Sequence, residues 1–256
     1  APPEMAEMLG MVDQQFVPKM LKAWNIMKEK VFNGLGNEAG VVIDLKGSMP
    51  KIPIDHPAVG VAVKKGKLPR IAVFNSVSER KLLAEAWEDM VPLLNEIAQG
   101  IPGQAPGQEF EIPDPLTSDG KHIKTHFFGL PFVSNDFLPS LSISDDLFFL
   151  STSKNYTEQL AAKIASGEGK EIKGAFMQMR FSALHAYAGQ WLDLVVDNSG
   201  AFFAGNEFAE EDFKENAENI RMGLNLLKGI KGVSFHRYKD KRWRSDWHLE
   251  ITDIEG

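Results

Sequence analysis

Apolar and polar residues between positions 138 and 151 change pattern twice, and the changes predict a hairpin with a central strand. Over residues 140–144 serines alternate with Leu141 and Ile143, which is the period of a strand with one solvated face. The two aspartates at 145–146 stand where a two-residue turn is expected. The unbroken apolar run 147–150 predicts a strand that is covered on both faces and therefore central in its sheet.

The residues after this strand predict a capped amphipathic helix. Asn155, with Glu158 three residues later, fits a capping box. Tyr156, Leu160 and Ile164 recur every fourth residue, so one stripe of the helix can pack on the sheet.

Similar patterns elsewhere predict further strands and helices. The predicted strands are residues 41–43, 59–63, 71–74, 122–128, 138–143, 175–181, 233–237 and 243–251. The predicted helices are residues 4–32, interrupted at Pro18, and the stripes Leu83 to Leu94, Leu184 to Val195 and Phe213 to Leu227. In the last strand the alternation predicts a buried face made of Trp243, Ser245, Trp247, Leu249 and Ile251.

This order of elements favours an α+β fold with an antiparallel or mixed sheet, built from hairpins with amphipathic helices packed on it. The hairpins at Asp145 and Lys239 require antiparallel neighbours, which disfavours a doubly wound parallel fold. A chain of 256 residues can bury a sizeable core in one domain, 1–256. The alternative is two packed halves, 1–98 and 121–256, joined by the Gly/Pro-rich loop 99–120.

Charge and composition disfavour some classes of partner and exclude some kinds of chemistry. A formal charge of −7 disfavours a nucleic-acid binder, because affinity for phosphates needs a basic surface. The absence of cysteine excludes thiol catalysis, zinc-thiolate sites and disulfides. The chain starts with Ala1 rather than Met, which favours removal of a signal peptide and hence an exported, periplasmic or cell-envelope protein. The alternatives are a longer precursor or a fragment, for which a cytoplasmic location stays open.

The N-terminal helix supplies the candidate binding residues. Five of the ten methionines fall within the first 27 residues, and flexible thioether side chains suit an apolar surface that accepts varied partners. The candidates for binding a protein partner, a second copy or an apolar ligand are Met5, Met8, Met20, Trp24 and Met27. The competing interpretation is that this stripe is ordinary core packing.

His122 and His126 are the candidate metal ligands. They are the only closely spaced histidines, and on a helix this spacing could hold zinc. The surrounding pattern predicts a strand instead, in which Lys124 would lie between the two rings and disfavour a cation. The sequence contains no nucleophile elbow, Walker loop or dinucleotide fingerprint, so no cofactor is expected.

The run LFFLSTSKNYTEQLAAKI and the closing helix, hairpin and DWHLEI strand resemble a loose family of large exported bacterial proteins of unknown function. The likeness covers about a quarter of the chain. It implies an exported, envelope-associated α+β protein and transfers no catalytic residue.

Two functional hypotheses follow. The first is a non-catalytic exported binding or assembly protein that holds a protein partner or an apolar ligand. The second is a hydrolase, with or without a metal, whose histidines and aspartates converge only in the fold.

Overall fold

A computed structural model of the chain describes residues 14, 16–52, 54–99, 113–129, 134, 136–167, 172–204 and 206–251. These residues form an α+β fold of antiparallel sheets with helices packed against them. The predicted fold class is therefore confirmed. Asp145 and Asp146 lie in the turn of a hairpin, as predicted, and a second hairpin turns at Asp240 to Arg242.

The helices are α1 (Val17–Ile26), α2 (Pro57–Lys65), α3 (Arg80–Gln99), α4 (Lys154–Ala165), α5 (Phe181–Asp197), α6 (Ser199–Phe202) and α7 (Glu207–Leu226). A π-helical turn, Met27–Val31, and a short α-helical turn, Phe32–Gly34, continue α1, and a 3-10 turn, Leu227–Gly229, follows α7. The strands are β1 (Leu35–Ser48), β2 (Lys67–Val77), β3 (Leu116–Asp119), β4 (Lys124–Phe127), β5 (Ser140–Ile143), β6 (Leu147–Ser151), β7 (Ala175–Arg180), β8 (Ile230–Lys239) and β9 (Trp243–Ile251). A six-stranded sheet has the order β1-β2-β6-β5-β4-β3, and a three-stranded sheet has the order β7-β8-β9.

The described residues divide into two compact units, each made of separate stretches of sequence. Unit 1 contains the stretch that ends at Val42, together with described residues of Ala72–Gly129 and Pro139–Ser151. Unit 2 contains described residues of Ile43–Ile71, the stretch that ends at Leu138, and those from Thr152 onward. Most of the predicted Gly/Pro-rich loop, 99–120, lies outside the described residues.

In unit 1, β6 lies inside the sheet, between β2 and β5, but only one of its faces is covered. Phe149 is fully buried and pairs in register with Phe74, with ring centroids 5.9 Å apart. The neighbouring Leu150 is exposed. The prediction that both faces of this strand are covered is therefore wrong.

The prediction that the serines of β5 face water is also wrong. Ser140 and Ser142 are buried, whereas Leu141 is only partly buried. The Ser142 hydroxyl donates to Thr125 Oγ1 on β4 at 2.9 Å, so a buried polar group finds its partner on the neighbouring strand. Alternation identifies two faces, but this cross-strand pair decides which of them is inside.

The π-helical turn after α1 determines which apolar residues of unit 1 reach the core. Ile26 forms a buried cluster with Ala86 and Leu93 of α3, and Val31 packs against that cluster. Residues five apart share a face because the turn is wider than an α-helical one. Met20 and Trp24, which belong to the predicted apolar stripe and precede this turn, stay exposed outside the cluster.

Two local predictions in unit 2 are corrected by capping interactions. Residues 59–63 were expected to form a strand but belong to α2, because Pro57 occupies its first turn and His56 Nδ1 accepts a hydrogen bond from the Ala58 amide. The N-cap of α4 is Ser153 rather than Asn155, since the Ser153 hydroxyl accepts from the Tyr156 amide at 3.1 Å.

Candidate binding surface

One face of the β7-β8-β9 sheet brings together apolar side chains from three strands of unit 2. Met177, Phe235 and Trp247 occupy one row of the ladder, and the rings of Phe235 and Trp247 lie 4.5 Å apart, centroid to centroid. Side chains in register share a face of the sheet. The next row contains Met179, Val233 and Leu249. We call the surface made of these two rows and Trp243 the Trp247 face.

The Trp247 face is exposed, although the sequence pattern predicted that the β9 residues on it are buried. Trp247 is 69% exposed and Trp243 is 62% exposed, and both methionines of β7 are also exposed. Every residue of β7 and β9 is exposed, while Val233 and Phe235 in the middle strand are half-buried. The alternating pattern correctly placed Trp243, Trp247 and Leu249 on one face of the strand. It could not predict that, among the residues that the structure describes, no element covers this face.

Two cations border the Trp247 face near the hairpin turn. The Arg237 guanidinium lies 4.9 Å from the centre of a Trp243 ring, and the Lys239 ammonium lies 6.0 Å from it. Cation–π attraction of this kind holds the indole against the sheet while both charges stay in water. One end of the apolar face is therefore positively charged.

The opposite face of β9 is polar and carries one arginine, one histidine and two carboxylates. Its side chains are Arg244, Asp246, His248 and Glu250. On β8 the His236 ring stacks on Tyr238 at 4.8 Å between centroids, and its Nε2 lies 2.7 Å from the Lys173 carbonyl oxygen. The two faces of this sheet thus differ in character, and the Trp247 face is the apolar one.

The predicted binding residues of the N-terminal helix are in unit 1, where the described ones differ in exposure. Met20 and Trp24 are exposed, whereas Met27 is half-buried. Met5 and Met8 lie outside the described residues. The Trp24 ring makes an edge contact with Phe32 at 6.0 Å between centroids. The outer side of α1 is therefore a second exposed apolar surface.

The inner side of α1 is bound to α3 by polar as well as apolar contacts. The Lys30 ammonium lies 2.8 Å from Asp89 and 3.4 Å from Glu85, and the Lys19 ammonium donates to the Glu96 carbonyl. The hydrogen bond to Asp89 is the largest of the effects that raise the pKa of Lys30. These contacts fix which side of the helix faces outward.

The predicted metal pair does not share one strand in unit 1. His126 lies on β4 and is half-buried, whereas His122 lies in a bend before that strand. Burial, followed by the positive charge of Lys124, lowers the pKa of His126. Among the residues that the structure describes, no group of three or more histidines, aspartates or glutamates could hold a metal ion.

A buried ion cluster in unit 2 is the strongest polar feature that sequence reasoning missed. Arg70 Nη2 lies 2.6 Å from Asp44 Oδ2, and Arg70 Nη1 lies 3.3 Å from Asp136 Oδ1. The Ser48 hydroxyl and amide both donate to Asp136, and the Asn155 amide group donates to it at 3.4 Å. Nothing in the local sequence connected Asp136 with Arg70, which is 66 residues away.

The electrostatics of this cluster indicate a structural role. Burial is the largest influence on Asp136 and opposes its ionisation, yet the Ser48 hydrogen bonds, the Arg70 charge and Asn155 together lower the pKa of Asp136. Burial, and next the charge of Asp44, raises the pKa of Tyr156, whose ring lies under the Arg70 guanidinium. The cluster holds the end of β1, β2 and the start of α4 together and presents no unpartnered catalytic group.

An open groove of about 620 Å³ runs along α5 in unit 2 and contains His185. Lys65, Asp193 and Asp197 also line it. Asp193 accepts from the Arg221 guanidinium at 2.7 Å, so its charge is already used in an ion pair. The groove is open and does not enclose a ligand, so it is a weaker candidate than the Trp247 face.

Comparison with known proteins gives no relative from which a role could be transferred. Within the described residues, no helix has the length and apolar character needed to cross a membrane. The chain matches no protein-family model, no curated protein and no solved structure.

Proposed function

We propose that this protein is a non-catalytic binding or assembly protein that holds another protein on the Trp247 face. The observation that carries the proposal is the exposure of Trp243, Trp247 and Leu249 on one side of a sheet whose third strand adds Met177 and Met179. Contiguous exposed apolar surface mainly marks interaction sites. Tryptophan is also among the residues that contribute most to binding at protein interfaces.

The shape of this surface favours a protein over a small apolar ligand. Pockets for small molecules are concave and enclose most of the ligand. The Trp247 face is the side of a three-stranded sheet, and its outer strands are exposed along their whole length. A sheet face of this kind can be covered by another sheet or helix, which would bury several large side chains at once.

The proposal is tested by photo-crosslinking in cells of the protein's source. A benzophenone amino acid at Met177 lies on the Trp247 face, and the same residue at Gln178 lies on the other face of the same strand. We expect the chain labelled at Met177 to form a discrete crosslinked protein species. The Gln178 variant is the matched control, because it carries the same probe one residue away.

For the proposal to stand, the Met177 and Gln178 variants must differ in the amount of crosslinked protein that they form. If both crosslink to the same extent, or if neither yields a protein adduct, the Trp247 face is not a protein-binding surface. A benzophenone at Leu249, on β9, provides a second position on the same face.

The location that we propose is the bacterial cell envelope. It is supported by the resemblance of the LFFLSTSKNYTEQLAAKI and DWHLEI segments to exported proteins. Fractionation of the source cells tests it, with detection of the chain by mass spectrometry, and recovery in the cytoplasmic fraction alone would contradict it.

A further inference from the structure

The outer edge of β9 in unit 2 has no partner strand among the described residues. β9 pairs with β8 along nine residues and is the last strand of the β7-β8-β9 sheet. Within the described part of the chain, no strand pairs with its other edge. Such an edge offers a row of backbone donors and acceptors to another strand.

The order of charges along β9 matches its own reverse. On the polar face, Arg244 stands three residues before Trp247 and Glu250 three residues after it. Asp246 and His248 stand one residue before and one after. If a second β9 is placed antiparallel so that Trp247 faces Trp247, arginine lies opposite glutamate and aspartate lies opposite histidine.

From this self-complementarity we infer that a second copy of this chain pairs antiparallel with the outer edge of β9, with Trp247 at the two-fold axis. The inference goes beyond the proposed function, because pairing at the edge extends the Trp247 face and leaves it uncovered for another partner. An isologous contact requires one patch to be complementary to itself, and this strand meets that condition in its backbone, its charges and its apolar residues.

The two nearest registers that keep the apolar side chains on one face are disfavoured by charge. A shift that centres the pairing on Asp246 places the two Asp246 carboxylates opposite each other and Arg244 opposite His248. A shift to His248 places Asp246 opposite Glu250. Like charges directly opposite each other are destabilising, whereas opposite charges stabilise a strand pair. Among these three registers, only the one centred on Trp247 pairs Arg244 with a carboxylate and places no carboxylate opposite another.

The same register completes the apolar face. Trp243 would face Ile251 of the second copy, and Ser245 would face Leu249. The row Met177, Phe235, Trp247 would continue into its own mirror sequence, so that two three-stranded sheets form one six-stranded sheet with a continuous apolar side. Cross-strand aromatic pairs are among the more favourable contacts in a sheet.

The charges involved are available for this contact. Glu250 lies 3.6 Å from Lys231, and Arg244 lies 3.7 Å from Asp240, both on the exposed surface. Exposed ion pairs of this kind contribute little to stability. They can be exchanged for a contact with the second copy at small cost.

The inference is tested by sedimentation velocity on the purified chain at concentrations from about 1 to about 100 µM, the range of moderate protein affinities. We expect a reversible monomer–dimer equilibrium. Arg244→Glu alone and Glu250→Arg alone should each weaken dimerisation about tenfold, since each creates two like-charge contacts per dimer. The double variant R244E/E250R should restore the original dissociation constant.

A mixture of the two single variants gives the sharpest result. Each variant repels itself, but in a mixed dimer position 244 of each chain meets position 250 of the other, and both contacts then join a carboxylate to a guanidinium. We therefore expect the mixture to dimerise although neither component does so alone at the same concentration. Arg180→Glu, the same charge change on the opposite edge of the sheet, is the control and should leave dimerisation unchanged.

The outcomes separate this inference from the proposed function. A chain that is monomeric at every concentration, or a dimer insensitive to both single variants, overturns the β9 pairing. If the Met177 crosslink then joins a different protein, the proposed function stands without this inference. If Met177 forms no protein adduct, both fail. Circular dichroism of each variant verifies that the sheet is folded.

Discussion

The Arg70 guanidinium lies 4.7 Å from the centre of the Tyr156 ring while its nitrogens bind the carboxylates of Asp44 and Asp136. Arg70 is only 9% exposed, so most of its charge is compensated inside unit 2. One side chain thereby connects β1, β2, the segment before β5 and the first turn of α4.

Replacing this arginine should be among the most destabilising single changes in unit 2. Arg70→Ala leaves two partly buried carboxylates without their cation, so we expect a loss of about 2–4 kcal/mol in the free energy of unfolding. Urea denaturation measures it. Arg80→Ala, which breaks an exposed pair with Asp145, is the control and should cost less than about 1 kcal/mol. Equal losses would contradict a structural role for the cluster.

The low pKa of Asp136 predicts a specific loss of stability in acid. Its folded-state pKa lies below the ordinary value of 3.8, so its contribution is fully present above that value and is lost as pH falls through the folded pKa. We expect Asp136→Asn to reduce the slope of unfolding free energy against pH between about pH 4 and about pH 2. Ser48→Ala should reduce the slope in the same direction, because it removes one donor to Asp136. Unchanged slopes in both variants would refute the assignment.

Helix α4 should depend on Ser153 and much less on Asn155. Ser153→Ala removes the side chain that accepts from the Tyr156 amide and should lower stability by about 1–2 kcal/mol. Asn155→Ala removes only a 3.4 Å contact with Asp136 and should cost less than about 0.5 kcal/mol. Thermal unfolding of the two variants distinguishes the observed cap from the one that the sequence predicted.

The two sides of α1 should respond differently to truncation. Ile26→Ala opens the cluster with Ala86 and Leu93 and should cost about 2–4 kcal/mol. Trp24→Ala truncates a side chain that is 55% exposed, so it should cost less than about 1 kcal/mol. Denaturant titration measures both. If Trp24→Ala is as destabilising as Ile26→Ala, the outer side of α1 is core rather than an available surface.

The sequence predicted the fold class and the hairpins because turns and period-two patterns are local signals. The Asp145 turn and the β8-β9 pair required only neighbouring residues. Residues 59–63 misled because their valines alternate as in a strand, whereas a proline in the first turn and a capping histidine started a helix there. Start and end signals outweighed periodicity in that segment.

The features that escaped prediction depend on residues far apart in the chain. Arg70 and Asp136 are 66 residues apart, and Ser142 on β5 forms a hydrogen bond with Thr125 on the neighbouring strand β4. The Trp247 face escaped for another reason, since alternation predicts which side chains share a face but not whether another element covers it. The π-helical turn also escaped prediction; within it Val31 stays half-buried and packs against the cluster of Ile26, Ala86 and Leu93.

The interleaved order of the two units has a consequence for how the protein is made. A ribosome releases the chain from its N-terminus, and domains generally fold as units in that order. Unit 1 includes residues up to Ser151, and unit 2 already begins at Ile43. The edge of β2 that pairs with β6 therefore stays without its partner strand until β6 has emerged. We expect nascent chains that end before Leu147 to be the ones that molecular chaperones hold longest.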